Sequence, residues 1–573
     1  MIVFKDHHDF NSKEHFIRSI YSYIDQIQYK IKPDYSTLVS LFIEVSEFET
    51  GISDVFEKED DISTPVHWSH DITLASAQLV YDSWGNHEKS DHLLEVIKRG
   101  IAQFSSFTII DRIPVCESEG YAFYGLYPEM YMEAAIEFAR INPKKEVVCI
   151  GLRSIGTSLC ALVDTVLNNN GCRAWSFTVR PKGHPFDRKI NIPLSVKEKI
   201  LRGGEKIIAV IDEGPGLSGS SIGGTLQKLI ESGVTKNQIV LFPSWNPDGE
   251  GFISESAKKL WPQFRKVTKD FSDIWIVNKK LENMLGMRIT HDFSAGNWRE
   301  YLFKDESEYP SVNSHHERRK FLLIDENKRR FIAKWVGLGR YGERLVERAE
   351  KLNRYDFNPH IFDKKYGFVI FPFLSGHPVM VNDMCDQLLK FAVDYFTALK
   401  KQLPGVLSAP YEKMKEMIYL NVIEGIGEAH LKEINIIEKI TKGMYESDIV
   451  SVDGRVLPHE WIFTGDRYFK VDHIEHHCDQ FFPGCQNILW DLAAFCIEFD
   501  LDKEKQKEYL SYYLERNAEK CFFERFQFYT IAYLAFRLGY TKLAADSLKE
   551  TADGKRFDNQ TDKYKNKLIS ALS

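Results

Sequence analysis

The sequence predicts an α/β protein: a parallel-sheet core with a helical N-terminal extension, followed by an α+β domain of two lobes. Three observations predict it. First, Glu146–Leu167 and Lys206–Thr225 each run from a short apolar strand through a glycine and hydroxyl loop into a helix, the alternation that builds parallel sheets. Second, residues 1–110 place apolar side chains at helical spacing. Third, from Lys320 the pattern changes to strand, turn, strand, glycine turn and helix. A chain of 573 residues has room for about two to four domains. The shifts in pattern place an extension at 1–115, the parallel-sheet domain at 116–305, a linker at 306–319 and the last domain at 320–573.

In the extension, helices are expected at Phe16–Ile27, Thr37–Phe56 and Leu93–Phe107. Glu44, Glu47 and Glu49 dot the second of them. They read as a solvated face, with an acidic metal or substrate site as the alternative. Tyr121, Phe123, Tyr124 and Tyr127 then crowd ahead of Pro128, which starts a helix. Such a cluster is either a core plug or a face that stacks a planar base. The first core strand is Val147–Ile150, its loop Gly151–Gly156, and its helix begins at Thr157. Arg153 is a fixed cation beside the backbone N–H groups of Ser154 to Thr157, a pairing that suits diphosphate.

Arg180, Lys182, His184 and Arg188 follow, interleaved with Pro181, Gly183 and Pro185, which forbid a regular helix. The central motif is the strand Ile207–Ile211, then Asp212 and Glu213, then the small-residue loop Gly214–Ser221 opening a helix to about Ile230. Backbone N–H groups and hydroxyls at a helix N-terminus favour an anion. The paired acids can accept hydrogen bonds from sugar hydroxyls. Gln238–Phe242 reads as another buried strand, followed by a loop whose Phe242 and Trp245 could stack on a base. Phe271–Asn278 reads as a last strand.

The Lys206–Thr225 stretch resembles the ribose-phosphate motif of the type I phosphoribosyltransferases, which have a Rossmann-like parallel-sheet core. The resemblance implies binding of phosphoribosyl pyrophosphate (PRPP) with Mg²⁺ and transfer of ribose 5-phosphate to or from a nitrogenous base, a glycosyltransferase reaction. Asp212 and Glu213 would hold the ribose hydroxyls, with Asp212 also near the metal. Gly216, Leu217, Ser218, Gly219, Ser220 and Ser221 would cradle the 5′-phosphate. Gly216 and Leu217 stand where the family usually has threonines, so the grip rests on the serines and backbone N–H. Arg153 and Ser154 would bind the diphosphate. The loop with Arg180, Lys182, His184 and Arg188 would close over it and keep water from the reacting carbon. Tyr124, Phe242 and Trp245 are the base-stacking candidates.

The chain from Lys320 resembles the aminoglycoside-phosphotransferase branch of the kinase-like fold. By that resemblance Lys334 is the strand lysine that pairs with nucleotide phosphates. Glu343 or Glu347 orients it, Phe371–Leu374 is the hinge, Asp472 binds the metal, and Asp491 is the buried structural aspartate. ATP is then a possible ligand. The catalytic loop departs from the branch: after Asp453 the expected asparagine is replaced by Pro458 and His459, so kinase activity is open. His473, His476, His477 and Cys478 with neighbouring acids offer a competing transition-metal reading. The alternative functions are a sensor of PRPP or nucleotide with a degenerate kinase domain, or a small-molecule phosphotransferase.

Bulk properties bound the rest. Hydrophobic content of 43% and charged content of 27% are those of a soluble globular protein. The net charge of -8 makes nucleic acid an unlikely partner. Nine scattered cysteines without a CxxC pair fit reduced thiols in the cytoplasm. No leader is expected in MIVFKDHHDF, and no apolar run approaches the ~18 residues of a membrane span. The partners expected are small molecules, and an oligomer is possible.

Overall fold

The structure is a computed structural model. It describes all residues except 4–8, 30–33, 86–90, 106, 108–110, 203, 217, 407–408, 433, 436–442, 444, 446 and 480. The chain forms a mixed α/β fold that divides into two compact units. One comprises His7–Gly286 and Gly337–Tyr341, the other Met1–Asp6, Met287–Val336 and Gly342–Ser573. No described helix is long and apolar enough to cross a membrane.

The first unit is built on a five-stranded parallel sheet, in the order Arg173–Val179, Glu146–Leu152, Ile207–Ile211, Ile239–Phe242 and Arg265–Lys266. Its central strands are apolar throughout because both sheet faces are covered. Val148, Ile150, Ile208, Val210, Leu226 and Leu229 form part of one core cluster. The chain leaves Glu146–Leu152 toward one edge and returns to Ile207–Ile211 on the other side. The loops after these two strands therefore flank a topological switch point, where open α/β sheets leave a crevice for ligands. The basic stretch after Arg173–Val179 folds back as a hairpin, with Lys182–His184 pairing antiparallel to Asp187–Lys189.

Helices Lys13–Tyr29, Tyr35–Val55, Thr64–Trp84 and Asp91–Ser105 precede the sheet and belong to the same compact unit. Asp34 caps the second, accepting a hydrogen bond from Ser36 N at 3.3 Å. The solvated face expected on this helix is corrected: Glu44, Glu47 and Glu49 are 1%, 4% and 1% exposed. The helix packs against Lys13–Tyr29, Thr64–Trp84, Gly156–Asn169 and Arg112–Val115, so no side of it is left for water. The charges are met inside. Arg340 reaches Glu47 at 2.5 Å and Glu44 at 3.4 Å. His70 Nδ1 lies 2.9 Å from Glu49.

Phe271–Asn278 is also corrected. It contains a single wide π-helical turn, Ser272–Ile276, and the sheet ends instead at Arg265–Lys266. Phe271, Ile274 and Trp275 are buried at helical spacing, and the Phe271 and Trp275 rings pack on Tyr127.

The second unit opens with a five-stranded sheet in the order Arg288–Asp292, Lys320–Ile324, Arg330–Trp335, Phe368–Pro372 and Asp363–Lys365. Its neighbouring strands are antiparallel. The division between units falls before Met287, ahead of the 306–319 stretch expected to link them, because Arg288–Asp292 pairs with Lys320–Ile324. Beyond this sheet, helices Asp386–Gln402, Tyr411–Ile426, Leu489–Glu498, Lys503–Arg516, Phe522–Ser547 and Ala552–Leu572 dominate. Their core includes Tyr395, Phe396, Trp461, Trp490 and Phe495, all fully buried.

Candidate functional sites

Asp212 and Glu213 leave the C-terminal end of strand Ile207–Ile211 and are partly buried. Gly120 N donates to Glu213 Oε2 at 3.0 Å. A Cβ at Gly120 would come within 2.9 Å of the Glu213 carboxyl carbon and of Ile155 Cδ1, so a side chain there would displace the carboxyl from this contact. Tyr131 OH donates to the Asp212 carbonyl at 2.6 Å, and Ser244 Oγ to the Glu213 carbonyl at 2.6 Å. Among the described residues no lysine or arginine pairs with either carboxylate. Burial pushes Asp212 up to about 7, against the backbone N–H groups of Glu213 and Gly214. Burial, with the Glu119 and Asp212 charges, raises Glu213 well above the carboxylate range. This is a pair of carboxyl groups that, among the described residues, has backbone donors but no cationic partner.

The loop that follows turns at Gly219, which has φ 62°. A side chain there would also meet Ala257 Cβ at 2.8 Å. Ser218 Oγ lies 3.0 Å from Ser220 Oγ and accepts from Ser220 N at 3.3 Å. Ser220 Oγ donates to the Pro185 carbonyl at 2.6 Å, which ties the basic hairpin to the loop. Helix Ser220–Glu231 starts here, so hydroxyls and an electropositive helix end meet beside the acids. Gly216 is exposed and Ser221 partly so; Leu217 lies outside the described residues. Trp245 is 49% exposed, and its Nε1 donates to the Pro215 carbonyl at 3.1 Å. Tyr124 is 36% exposed. Phe242 is corrected as a stacking candidate: it is 1% exposed and meets the Phe138 ring edge-on, because the last residue of an interior strand faces the covering helix.

The basic residues expected to be open to a diphosphate already have partners. Arg153 reaches Asp54 at 3.1 Å and Glu57 at 3.3 Å, and Arg180 grips Asp54 through two nitrogens. Lys182 pairs with Glu57. Arg188 donates to the Gly183 carbonyl at 2.9 Å, and Ser154 Oγ to the Glu117 carbonyl at 3.4 Å. His184 is exposed and accepts from Phe186 N at 3.2 Å. Sequence reasoning passed over Asp54 and Glu57. The signal was faint: two acids near a helix end, far along the chain from the bases they meet.

In the second unit Lys334, on strand Arg330–Trp335, is 4% exposed and forms ion pairs with both Asp472 and Glu475. Burial pushes its ammonium down to about 7, a push that the Glu475 charge opposes. Glu347, expected to orient this lysine, is corrected: it is solvent-exposed and pairs with Lys351 one turn along its own helix, at 2.9 Å. Glu343 is also exposed. Glu475, three residues past Asp472, takes the place beside Lys334.

Asp453 sits behind this pair. Tyr395 OH donates to it at 2.7 Å, and the fully buried Lys470 lies 3.3 Å away and 2.9 Å from Glu460. Burial alone would raise Asp453, but Lys470 and His476 hold it below its ordinary value. Asp491 accepts from the backbone N–H groups of Asp453 at 2.7 Å and Gly454 at 2.9 Å, so it fixes this turn. Arg348 clamps the same region, donating to the carbonyls of Ser451, Val452 and His473. Two groups could offer ligands to a cation: Asp453, Glu460 and His476, and Asp472, Glu475 and His476. His473 and His477 are buried but belong to neither, which narrows the expected histidine and cysteine metal cluster to His476.

No family model and no curated protein sequence matches the chain. Among solved structures it is similar to choline kinase LicA from Streptococcus pneumoniae, with 16% identity over 52% of this chain and 98% of that one and a TM-score of 0.36. It is similar to an ethanolamine kinase from Plasmodium vivax, with 14% identity over 55% and 93% and a TM-score of 0.33. It is also similar to spectinomycin phosphotransferase APH(9)-Ia, with 11% identity over 51% and 97% and a TM-score of 0.35.

Proposed function

We propose that the second unit binds a nucleoside triphosphate with Mg²⁺ and transfers its terminal phosphoryl group to a small molecule. The observation that carries this is the buried Lys334 ammonium held between Asp472 and Glu475. Phosphoryl transfer is mostly positioning and charge neutralisation. Lys334 supplies a cation for phosphate oxygens. Asp472, with Glu475 or His476, supplies the donors that would hold Mg²⁺, which when bound neutralises phosphate charge. Asp491 and Arg348 fix the Asp453 turn by backbone hydrogen bonds. Asp453, kept ionised by Lys470, orients an acceptor hydroxyl and can take its proton. The test is calorimetric titration with ATP and Mg²⁺, followed by ADP release with a panel of small amines and alcohols. Lys334→Ala is expected to weaken ATP–Mg²⁺ binding at least tenfold, about 1.4 kcal/mol. Failure of the intact chain to bind ATP–Mg²⁺ at millimolar concentration would sink this reading.

A second reading rests on Asp212 and Glu213, two acceptors without cations beside a hydroxyl-bearing helix start. In it, the first unit binds PRPP and moves ribose 5-phosphate to or from a nitrogenous base. The acids hold ribose hydroxyls, Ser218, Ser220 and Ser221 hold the 5′-phosphate, and Trp245 and Tyr124 offer ring faces to the base. No side-chain nucleophile is needed, because the ribose carbon passes directly between diphosphate and base. The check is calorimetry with ribose 5-phosphate and with PRPP. Absence of saturable binding of both ends this reading and leaves the first one standing.

A further inference from the structure

Arg153, Arg180 and Lys182 are drawn to one pair of acids. Asp54 is in the last turn of helix Tyr35–Val55, and Glu57 lies just past its end. Between them they present four carboxylate oxygens. Asp54 takes the Nε and Nη2 edge of Arg180, the edge that binds phosphate bidentately. Arg153 spends Nε and Nη2 on Thr178 at 3.1 Å each, which fixes its plane. Its Nη1 alone faces the acids, at 3.1 Å from Asp54 and 3.3 Å from Glu57. Glu57 also holds Lys182, whose side chain is 63% exposed on the hairpin, whereas Arg153 is 6% exposed. Two carboxylates thus occupy a cluster of three cations, two of them enclosed arginines and the third an exposed lysine.

We propose that Asp54 and Glu57 are a built-in anion, holding Arg153, Arg180 and Lys182 in a resting arrangement from which a diphosphate displaces them. The inference rests on the ribose-phosphate reading for its ligand class. A diphosphate carries more negative charge than two carboxylates and offers acceptors to the Nε and Nη2 edge of Arg180, to Nη1 of Arg153 and to the Lys182 ammonium. Exchange leaves Asp54 and Glu57 without cations, so they turn to water and the end of their helix loosens. The contact sets a threshold: only a ligand with adjacent phosphates opens it.

The test is calorimetry with inorganic pyrophosphate on the full chain and on Asp54→Asn/Glu57→Gln. The variant is expected to bind at least tenfold more tightly than the parent. Equal or weaker binding by the variant, or no binding by either, overturns the inference. A measurement on the unaltered chain guards against a variant that does not fold. Pyrophosphate is expected to speed hydrogen exchange over residues 50–58, and bound pyrophosphate that slows or leaves unchanged exchange there also overturns it. Ribose 5-phosphate, which has no diphosphate, separates this inference from the reading beneath it. Binding of ribose 5-phosphate without the pyrophosphate gain removes only the built-in anion. A pyrophosphate gain without ribose 5-phosphate binding removes only the ribose site.

Discussion

Lys470→Met is expected to lower the unfolding free energy of the second unit by about 3–5 kcal/mol, the usual cost of leaving one side of a buried ion pair unpaired. Lys470 is 0% exposed and is the cation of a cluster with Asp453 and Glu460, at 3.3 and 2.9 Å. Removing it leaves two carboxylates in the interior, one with Tyr395 and the other with the Leu457 N–H at 3.3 Å, and both with the His476 ring at 3.7–3.8 Å. The check is urea denaturation followed by tryptophan fluorescence, which sees the buried Trp461 and Trp490. The pH dependence gives the sign. In the parent, Asp453 and Glu460 are held below their ordinary values, so their contribution is present above about pH 4 and lost on acidification. In the variant the same carboxylates lose the lysine that opposes their burial and are raised relative to the parent, so its deficit grows as pH rises from about 4. A triple variant that also carries Asp453→Asn and Glu460→Gln is expected to recover most of the loss. If Lys470→Met unfolds within about 1 kcal/mol of the parent, Lys470 is not what stabilises the two buried carboxylates.

Asp212→Asn/Glu213→Gln is expected to weaken ribose 5-phosphate binding about 100-fold or more. Each carboxylate replaced removes charge-assisted hydrogen bonds of about 1.5–3 kcal/mol, and two such losses exceed the roughly 2.7 kcal/mol that a 100-fold change requires. Calorimetry at pH 6 and pH 8 adds a second readout. Burial sets Asp212 at about 7 in the folded protein, so the acceptor form gains population as pH rises through 7 and binding tightens. Stability moves the other way. An acid raised on folding binds more protons in the native state, so the folded protein loses stability as pH rises from about 4 to 7. Asp212→Asn alone is expected to reduce both slopes and leave the part that Glu213 carries. Binding that persists unchanged in the double variant would place the sugar elsewhere.

Much of the fold was legible because it is written in local pattern. Strand, glycine loop and helix follow one another within single stretches at Glu146–Leu167 and Lys206–Thr225, and both take up those elements. The acids end their strand because Asp212 and Glu213 break an apolar run. Lys334 and Asp472 end up as an ion pair although 138 positions separate them (472 minus 334), and no local periodicity links them.

The sequence by itself determined the order of elements, the two loop-bearing strands, the acid pair and the change of architecture after the parallel sheet. Tertiary structure alone decided which charges are free. Glu44, Glu47 and Glu49 have the spacing of a wet face, yet helix Tyr35–Val55 is enclosed and they are buried against Arg340 and His70. Arg153, Arg180 and Lys182 look like an open basic loop, yet Asp54 and Glu57 hold them. Glu475, not Glu347, meets Lys334. The physical reason is common to all three. A helical or strand period is fixed by neighbours a few residues away, whereas the partner and the dielectric surroundings of a charge are fixed by segments that meet only when the chain has folded.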